Sequence, residues 1–391
     1  MTTTTMANAS VKDIAPAAGL RFTVASRPQS RFSNTQTVSN FGTATSFQPI
    51  SLPATGWVRK VSLFFTATYT TSASAAVVAG DSPWNLISNV WLSDATGQAI
   101  TQPISGYSLY LVNKYLPAGG VDTNTPRPYS NPHIGPEYTY SASSTTGTAV
   151  FRLDLDLEQD YNTGYGCIPN LDANASLQLN VGVNAHSVAF SGGTATAATV
   201  SMTVDQHYWA PVGSTLNGVP VSTNPIGMGD YLETRYETQT VSAAAENTVA
   251  VTNRGGLIKG MIVVSRNAGT RTAFTAASKV GLVLDNNALD EGISLESKKD
   301  KLRRAYGYYG ADITTSYAPL SAGVQAGLDA GVLVWPFFAE SGGRDSWLST
   351  RVGSLLQLKL TPGSGATQLE VITQLMQVKD PASFYAPSAL G

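Results

Sequence analysis

The sequence repeats itself. Thr35-Gln36-Thr37-Val38-Ser39 returns as Thr238-Gln239-Thr240-Val241-Ser242, and five further segment pairs follow in the same order. Residues 56–64, from Gly56 to Phe64, have a counterpart from Gly256 to Val264. Asn89 to Asp94 pairs with Gly281 to Asn286, and Thr148 to Leu153 with Ala330 to Trp335. Ser176 to Val181 pairs with Leu356 to Leu360, and Thr199 to Val204 with Gln368 to Ile372. Each match alone is weak. Six in order, with a separation that shrinks steadily along the chain, describe a tandem duplication whose second copy has shorter loops.

The repeated segments have the period of strands. Phe151 to Glu158 alternates apolar and polar residues, and Leu177, Leu179, Val181 and Val183 share one face. This two-residue period places alternate side chains on a buried face. Gly-, Asn- and Pro-containing turns separate the segments, at Asp94–Gly97, Ser191–Gly193, Asn253–Gly256 and Thr361–Gly363. Many short strands spaced in this way predict an all-β chain with a sandwich or barrel in each half. Two short helices are expected in loops. One covers Ile293 to Tyr306, with Ser294 as N-cap and Leu295, Leu302 and Tyr306 on one side; the other lies near Ser105 to Val112. The organisation that follows is an N-terminal arm over 1–31, a first unit over 32–213 and a linker over 214–229 that carries Pro220 and Pro225. A second unit over 230–380 and a tail over 381–391 complete it.

Composition narrows the function. At 391 residues each half is long enough to bury its own core. Charged residues make up 13% of the chain, and its formal net charge is −2. A typical globular chain is about a quarter charged, and protein interfaces are depleted in Lys, Glu and Asp at their centres. A surface that meets other protein is therefore expected. The single cysteine, Cys167, excludes an intramolecular disulfide and is expected as a small core or loop residue. No signal peptide is recognisable at Met1 to Asn8, and no apolar run approaches the ~18 residues of a membrane-spanning helix.

No motif carries enzymatic chemistry. The three histidines, His133, His186 and His207, are too dispersed for a metal-binding pair, and no nucleotide-binding or nucleophile-elbow pattern occurs. Catalytic, cofactor-binding and metal-ligating residues are therefore all expected to be none, with no cofactor and no enzymatic activity. Asp154, Asp156 and Glu158 are expected to form a solvated strand face. Asp285-Asn286-Asn287, with Asp290 and Glu291, reads as an oxygen-rich loop without the glycine of a calcium-binding EF-hand. The charge run Glu296 to Arg304 is expected as a solvated helix face or a contact to a neighbouring subunit. Between Met1 and Arg31 the arm has only Lys12, Arg21, Arg27 and Arg31 as bases, too few to condense a genome, so no direct nucleic-acid binding is expected.

Several stretches resemble one family. These are the strand pair around Val58 to Thr66, the segment Asn85-Leu86-Ile87 to Asp94, Val204-Asp205-Gln206-His207-Tyr208-Trp209 leading to Pro211-Val212-Gly213, and Gly331-Val332-Leu333-Val334. They resemble, over most of residues 32–378, the double jelly-roll major capsid proteins of tailless, internal-membrane icosahedral bacteriophages of the tectivirus type. The resemblance implies two tandem eight-stranded jelly rolls. It also implies a homotrimer that forms pseudo-hexagonal capsomers of an icosahedral shell around an internal membrane. Implied partners are further copies of the chain, minor capsid or vertex proteins, and the membrane through the N-terminal arm. Assembly would take place in the host cytoplasm and end in the virion shell. The alternative is a phage receptor- or carbohydrate-binding β-sandwich protein, in which Trp84, Trp335 and Trp347 would stack on sugar rings.

Overall fold

The computed structural model describes residues 20–71, 77–116, 137–138, 146–159, 164–192, 195–225, 231–243, 245–275, 278–308, 312–313, 327–339, 346–350 and 354–377. The first roll is built from β1 (Pro28–Ser39), β2 (Gly56–Thr71), β3 (Ile87–Ser93), β4 (Thr146–Asp156), β5 (Gln178–Val183) and β6 (Ala195–Trp209). Its large sheet runs β1-β6-β2-β4, antiparallel throughout. Its small sheet sets β5 between β3 and the short pieces Thr45–Ser46 and Ile50–Ser51.

The second roll repeats this plan with β7 (Tyr231–Thr240), β8 (Asn247–Val251), β9 (Leu257–Asn267), β10 (Lys279–Leu284), β11 (Asn287–Ser294), β12 (Val332–Trp335), β13 (Leu356–Leu360) and β14 (Gln368–Gln377). The large sheet is β7-β14-β9-β12 and the small one β8-β13-β10-β11. Strand for strand, β1, β2, β3, β4, β5 and β6 occupy the places of β7, β9, β10, β12, β13 and β14. The six segment pairs of the sequence therefore fall on topologically equivalent strands.

The correspondence extends to a defect in the ladders. In β2 the pairing with β6 jumps from Lys60–His207 to Val58–Tyr208, which leaves Arg59 as an extra residue. In β9 the pairing with β14 jumps from Gly260–Gln374 to Ile258–Leu375, which leaves Lys259. One inserted residue bends the strand and re-aims a side chain. Both insertions are basic, and both turn a cation into the interior. Arg59 pairs with Glu158 and lies 4.6 Å over the Trp209 ring, while Lys259 lies 5.3 Å from the Phe338 ring.

Alternation decides which faces are buried. Along β2, Val61, Leu63, Phe65, Ala67 and Tyr69 point into the first core, and Phe64, Thr66 and Thr68 point out. In β9 the alternation disappears: every residue from Leu257 to Arg266 is buried. Ile258, Met261 and Val263 join the second roll's own core, whereas Leu257, Ile262 and Val264 join a larger cluster made mostly of first-roll residues. The second large sheet is thus covered on its outer face by the first roll.

Two helices occupy equivalent places before β4 and β12, namely α1 (Gly106–Tyr115) and α2 (Leu295–Tyr306). Each starts at a serine whose Oγ accepts the amide of the third residue on, Ser105 from Ser108 and Ser294 from Ser297. Gly307, at φ 66°, ends α2 in the left-handed conformation that glycine adopts without strain. All ten residues of α1 are buried; α2 buries only Leu295, Lys298, Leu302 and Tyr306.

The ends of the first roll differ from the sequence-based boundaries. Leu20 bridges Val221, Phe22–Ala25 form one helical turn, and β1 already begins at Pro28. Residues 20–31, expected in the arm, are therefore packed onto the roll, because Phe22 inserts edge-on between Trp57 and Trp209 beside Cys167. Within the expected linker, Thr215–Leu216 pairs with Val219–Pro220 around an Asn217-Gly218 turn with positive φ at both residues. Residues 1–19 and 381–391 lie outside the described residues.

Candidate functional site

The junction between the rolls holds a set of buried polar groups that face each other across the duplication. It exists because α1 lies against the outer face of β9 and β12. The approach is close at Gly260, where a Cβ would stand 2.3 Å from the Leu116 side chain and 3.1 Å from the Trp335 carbonyl, so a larger residue there requires Leu116 to move. Beside it Lys259 Nζ donates to the Leu116 carbonyl at 3.1 Å.

Two ionic groups flank this contact. In the first, Lys114 Nζ donates to Asp329 Oδ2 at 2.6 Å and to the Gly327 carbonyl at 3.0 Å, and Tyr115 OH donates to the same carboxylate oxygen at 2.7 Å. The rings of Tyr115 and Tyr308 each lie 5.1 Å from the ammonium, and Tyr306 OH donates to the Tyr115 carbonyl. Burial pushes the Lys114 ammonium below its ordinary range, and the Asp329 carboxylate opposes that shift. Burial likewise holds the Tyr115 phenol well above its usual value.

In the second group Asp81 of the first roll receives Arg266 and Arg271 of the second, Arg271 Nε at 3.1 Å, while Arg266 also pairs with Glu370. Arg271 continues to the carbonyls of Gly80, Ile313 and Ala330. Burial works against the Arg266 charge, but Asp81 and Glu370 hold its guanidinium above the ordinary value. The Tyr107 ring of α1 lies 5.3 Å from the Arg266 guanidinium. Across the junction three cations, Lys114, Arg266 and Arg271, thus meet two carboxylates, Asp329 and Asp81. Such pairs contribute less net stability than their Coulomb energy suggests, but each one fixes a geometry, because separating the partners leaves a buried charge. The arrangement locks two rolls into one block. A cleft of about 640 Å³ opens beside it, lined by Asp81, Tyr107, Arg266 and Arg271 among others.

The structure disperses the groups singled out in the sequence. Asp154, Asp156 and Glu158 are not a solvated face. Asp154 is buried against Arg152 and Lys60, and Glu158 against Arg59 and the Trp209 indole, because the basic residues of β2 lie beside them. Asp156, with Oδ1 buried and unbonded, is raised to about 6 by burial and by its neighbour Asp154. Asp285 and Asn286 form the tight hairpin turn between β10 and β11 rather than a loop, and Asp290 receives Lys298 and the Trp335 indole.

The charge run is divided. Lys298 is buried over Trp335, Lys299 and Arg303 pair with Asp312, and Lys301 and Arg304 are exposed. His207 stands between the Ser30 and Ser62 hydroxyls, its pKa lowered to about 4 by burial and by Lys60; His186 packs edge-on to Phe41. His133 lies outside the described residues. Cys167 is buried and its thiol pushed up by that burial. Among the described residues no three His, Cys, Asp or Glu side chains converge as a metal site. Trp84, Trp335 and Trp347 are 0%, 3% and 5% exposed, so none presents a face to a sugar.

The junction itself was not legible in the sequence, since its partners lie up to 215 residues apart. One signal was present, namely Lys114, the single charged residue of the helix.

No family model matches the chain, and no curated protein matches it in sequence. Among solved structures it is similar to a chain from the atomic structure of Sulfolobus Turreted Icosahedral Virus. Identity is 15%, covering 90% of this chain and 91% of that one, and the TM-score is 0.60. It is similar to the major capsid protein of Bacteriophage PM2, at 13% identity, 91% and 99% coverage and a TM-score of 0.51. The Faustovirus major capsid protein gives 9% identity, 96% and 92% coverage and a TM-score of 0.55. The likeness covers both halves at once and establishes the fold as a double jelly roll.

Proposed function

We propose that this protein is the major capsid protein of an icosahedral virus with an internal membrane, three copies forming one pseudo-hexagonal capsomer. The observation that carries the reading is the tandem jelly roll, which is similar over nine-tenths of the chain to shell-forming proteins of several viruses. Two rolls per chain give six per trimer, which suits packing on a hexagonal lattice. The ion pairs between the rolls support a building block that keeps its shape while neighbours press on it. Further partners are neighbouring capsomers, minor or vertex proteins, and the membrane beneath, approached by the N-terminal arm. The nearly neutral chain favours no direct contact with nucleic acid, and no catalytic role is assigned.

The test is the native mass of the full chain over a range of concentrations, followed by electron microscopy of what forms. A trimer with a hexagonal outline is expected. A chain that stays monomeric at every concentration refutes the reading.

A further inference from the structure

The second roll keeps a pocket of about 360 Å³ between α2 and its own sheets. The floor is apolar: Leu282 comes from β10, Leu302 from α2, Trp335 from β12, and Phe337 and Trp347 from the segment after it. All five side chains are buried, yet they leave this space between them unfilled. Protein interiors close to a density that leaves few voids larger than a water molecule, so apolar walls around a space of this size stand out.

Three charged residues line the pocket, Asp290, Lys298 and Lys301. Lys298 Nζ donates to Asp290 Oδ2 at 2.9 Å, and the Trp335 indole donates to the same oxygen at 2.8 Å. The carboxylate is therefore engaged by groups of the pocket itself. Lys301 is exposed at the rim, beside Leu289, which is 45% exposed. Two lysines against one aspartate leave one positive charge at the mouth. An apolar interior with a few placed polar groups, in a volume of about 300–1,000 Å³, is the make-up of a small-ligand site.

We propose that this pocket binds a fatty-acid anion, its chain among the tryptophans and its carboxylate at Lys301. The volume sets the size. At roughly 30 Å³ per methylene, the share of one liquid water, the space holds about a dozen carbons, which is one chain and not the two of a bilayer lipid. A flat ring or a sugar needs an aromatic face to stack on, and Lys298 already covers that of Trp335, 4.5 Å from its centroid. A flexible chain needs no such face. Burial of the chain supplies the affinity, and the lysine selects the head group through a charge-assisted hydrogen bond. An occupied pocket ties α2 to the sheets and stabilises the second roll by mass action. The inference concerns a ligand within one chain and does not rest on the shell-forming reading.

The experiment titrates the full chain with 11-bromoundecanoate, below its micelle concentration, because bromine quenches tryptophan emission on contact. Two of the six tryptophans line the pocket, so a saturable loss of up to about a third of the emission is expected, at one molecule per chain. Undecanoate without bromine should reverse the loss and raise the thermal midpoint as its concentration rises. Ala305→Phe places a ring in the pocket and should abolish the quenching with an unchanged circular-dichroism spectrum, and Trp347→Phe should reduce its amplitude. Lys301→Glu should weaken the acid roughly three- to tenfold and leave 11-bromoundecanol unaffected. Quenching that never saturates, or that persists in folded Ala305→Phe, overturns the site. Where Ala305→Phe does not fold, an undiminished amplitude in Trp347→Phe overturns it equally. Equal losses for the acid and the alcohol in Lys301→Glu overturn the anionic ligand.

Discussion

Replacing Asp329 isolates the cost of parting one ion pair at the junction. Its carboxylate takes both the Lys114 ammonium and the Tyr115 hydroxyl, and all three groups are buried. Removing one partner of a buried pair costs about 3–5 kcal/mol, because the remaining charge is left uncompensated. Asp329→Asn keeps an acceptor oxygen and belongs near the lower figure, and Asp329→Ala near the upper. The 391 residues carry an unfolding entropy of about 0.8 kcal/mol/K, so a loss of that size lowers Tm by roughly 4–6 °C if the rolls unfold together. Scanning calorimetry at one fixed protein concentration measures it.

The pH dependence supplies a sign. Asp329 opposes the effect of burial on Lys114, so in Asp329→Asn the lysine pKa falls further below its unfolded value. A base with a depressed folded pKa binds fewer protons when folded, so stability rises with pH up to the unfolded value near 10.5. The variant's deficit should therefore shrink as pH rises toward 10. The double variant Lys114→Met/Asp329→Leu removes both charges and should recover most of the loss. An Asp329→Asn melt within 1 °C (roughly 0.8 kcal/mol) of wild type, or a double variant no better than Asp329→Ala, would refute the reasoning.

Three further outcomes follow from the same structure. Gly260→Ala drives a methyl into the Leu116 side chain and should cost about 1–3 kcal/mol, seen as a lower denaturation midpoint. Asp156→Asn should stabilise the protein at neutral pH by roughly 1–3 kcal/mol. An acid raised to about 6 contributes stability that is present below its unfolded pKa and lost as pH climbs through 6, so melts from pH 4 to 7 should converge at the acid end. Ser105→Ala removes the cap of a helix held between the rolls and should cost about 1 kcal/mol in chemical denaturation, with Ser294→Ala as the exposed-helix comparison.

The strands were legible because burial of one face writes its period directly into a single sequence. Val61, Leu63 and Phe65 could be placed without knowing any partner, and the repeat then supplied their equivalents in β9. The sequence failed where a second layer intervened. The Asp154–Glu158 stretch alternates as a half-solvated strand does, but Lys60, Arg152 and Arg59 from neighbouring positions close over its carboxylates. Trp335 reads equally well as an exposed or a buried aromatic until Asp290 and Lys298 are seen around it. β9 lost its alternation because it is buried on both faces, which a run such as Gly260 to Val264 signals only as general apolarity. Phe22, in a stretch read as arm, found its partners in Trp57 and Trp209, far along the chain.

The complete burial of α1 has a consequence for how the protein is made. The helix leaves the ribosome with the rest of the first roll, but the strand that supports its far side, Val332–Trp335, follows about 220 residues later. At about 5–20 residues per second that interval lasts roughly 10–45 s. Throughout it, the side of α1 that the second roll covers, with Tyr115 on it, is open beside other nascent chains, while Tyr110 is already stacked on Trp84 of the first roll. A chain truncated before β12 keeps that side of the helix open, and a ribosome-associated or downstream chaperone is its expected binder, which co-purification with the truncated chain checks.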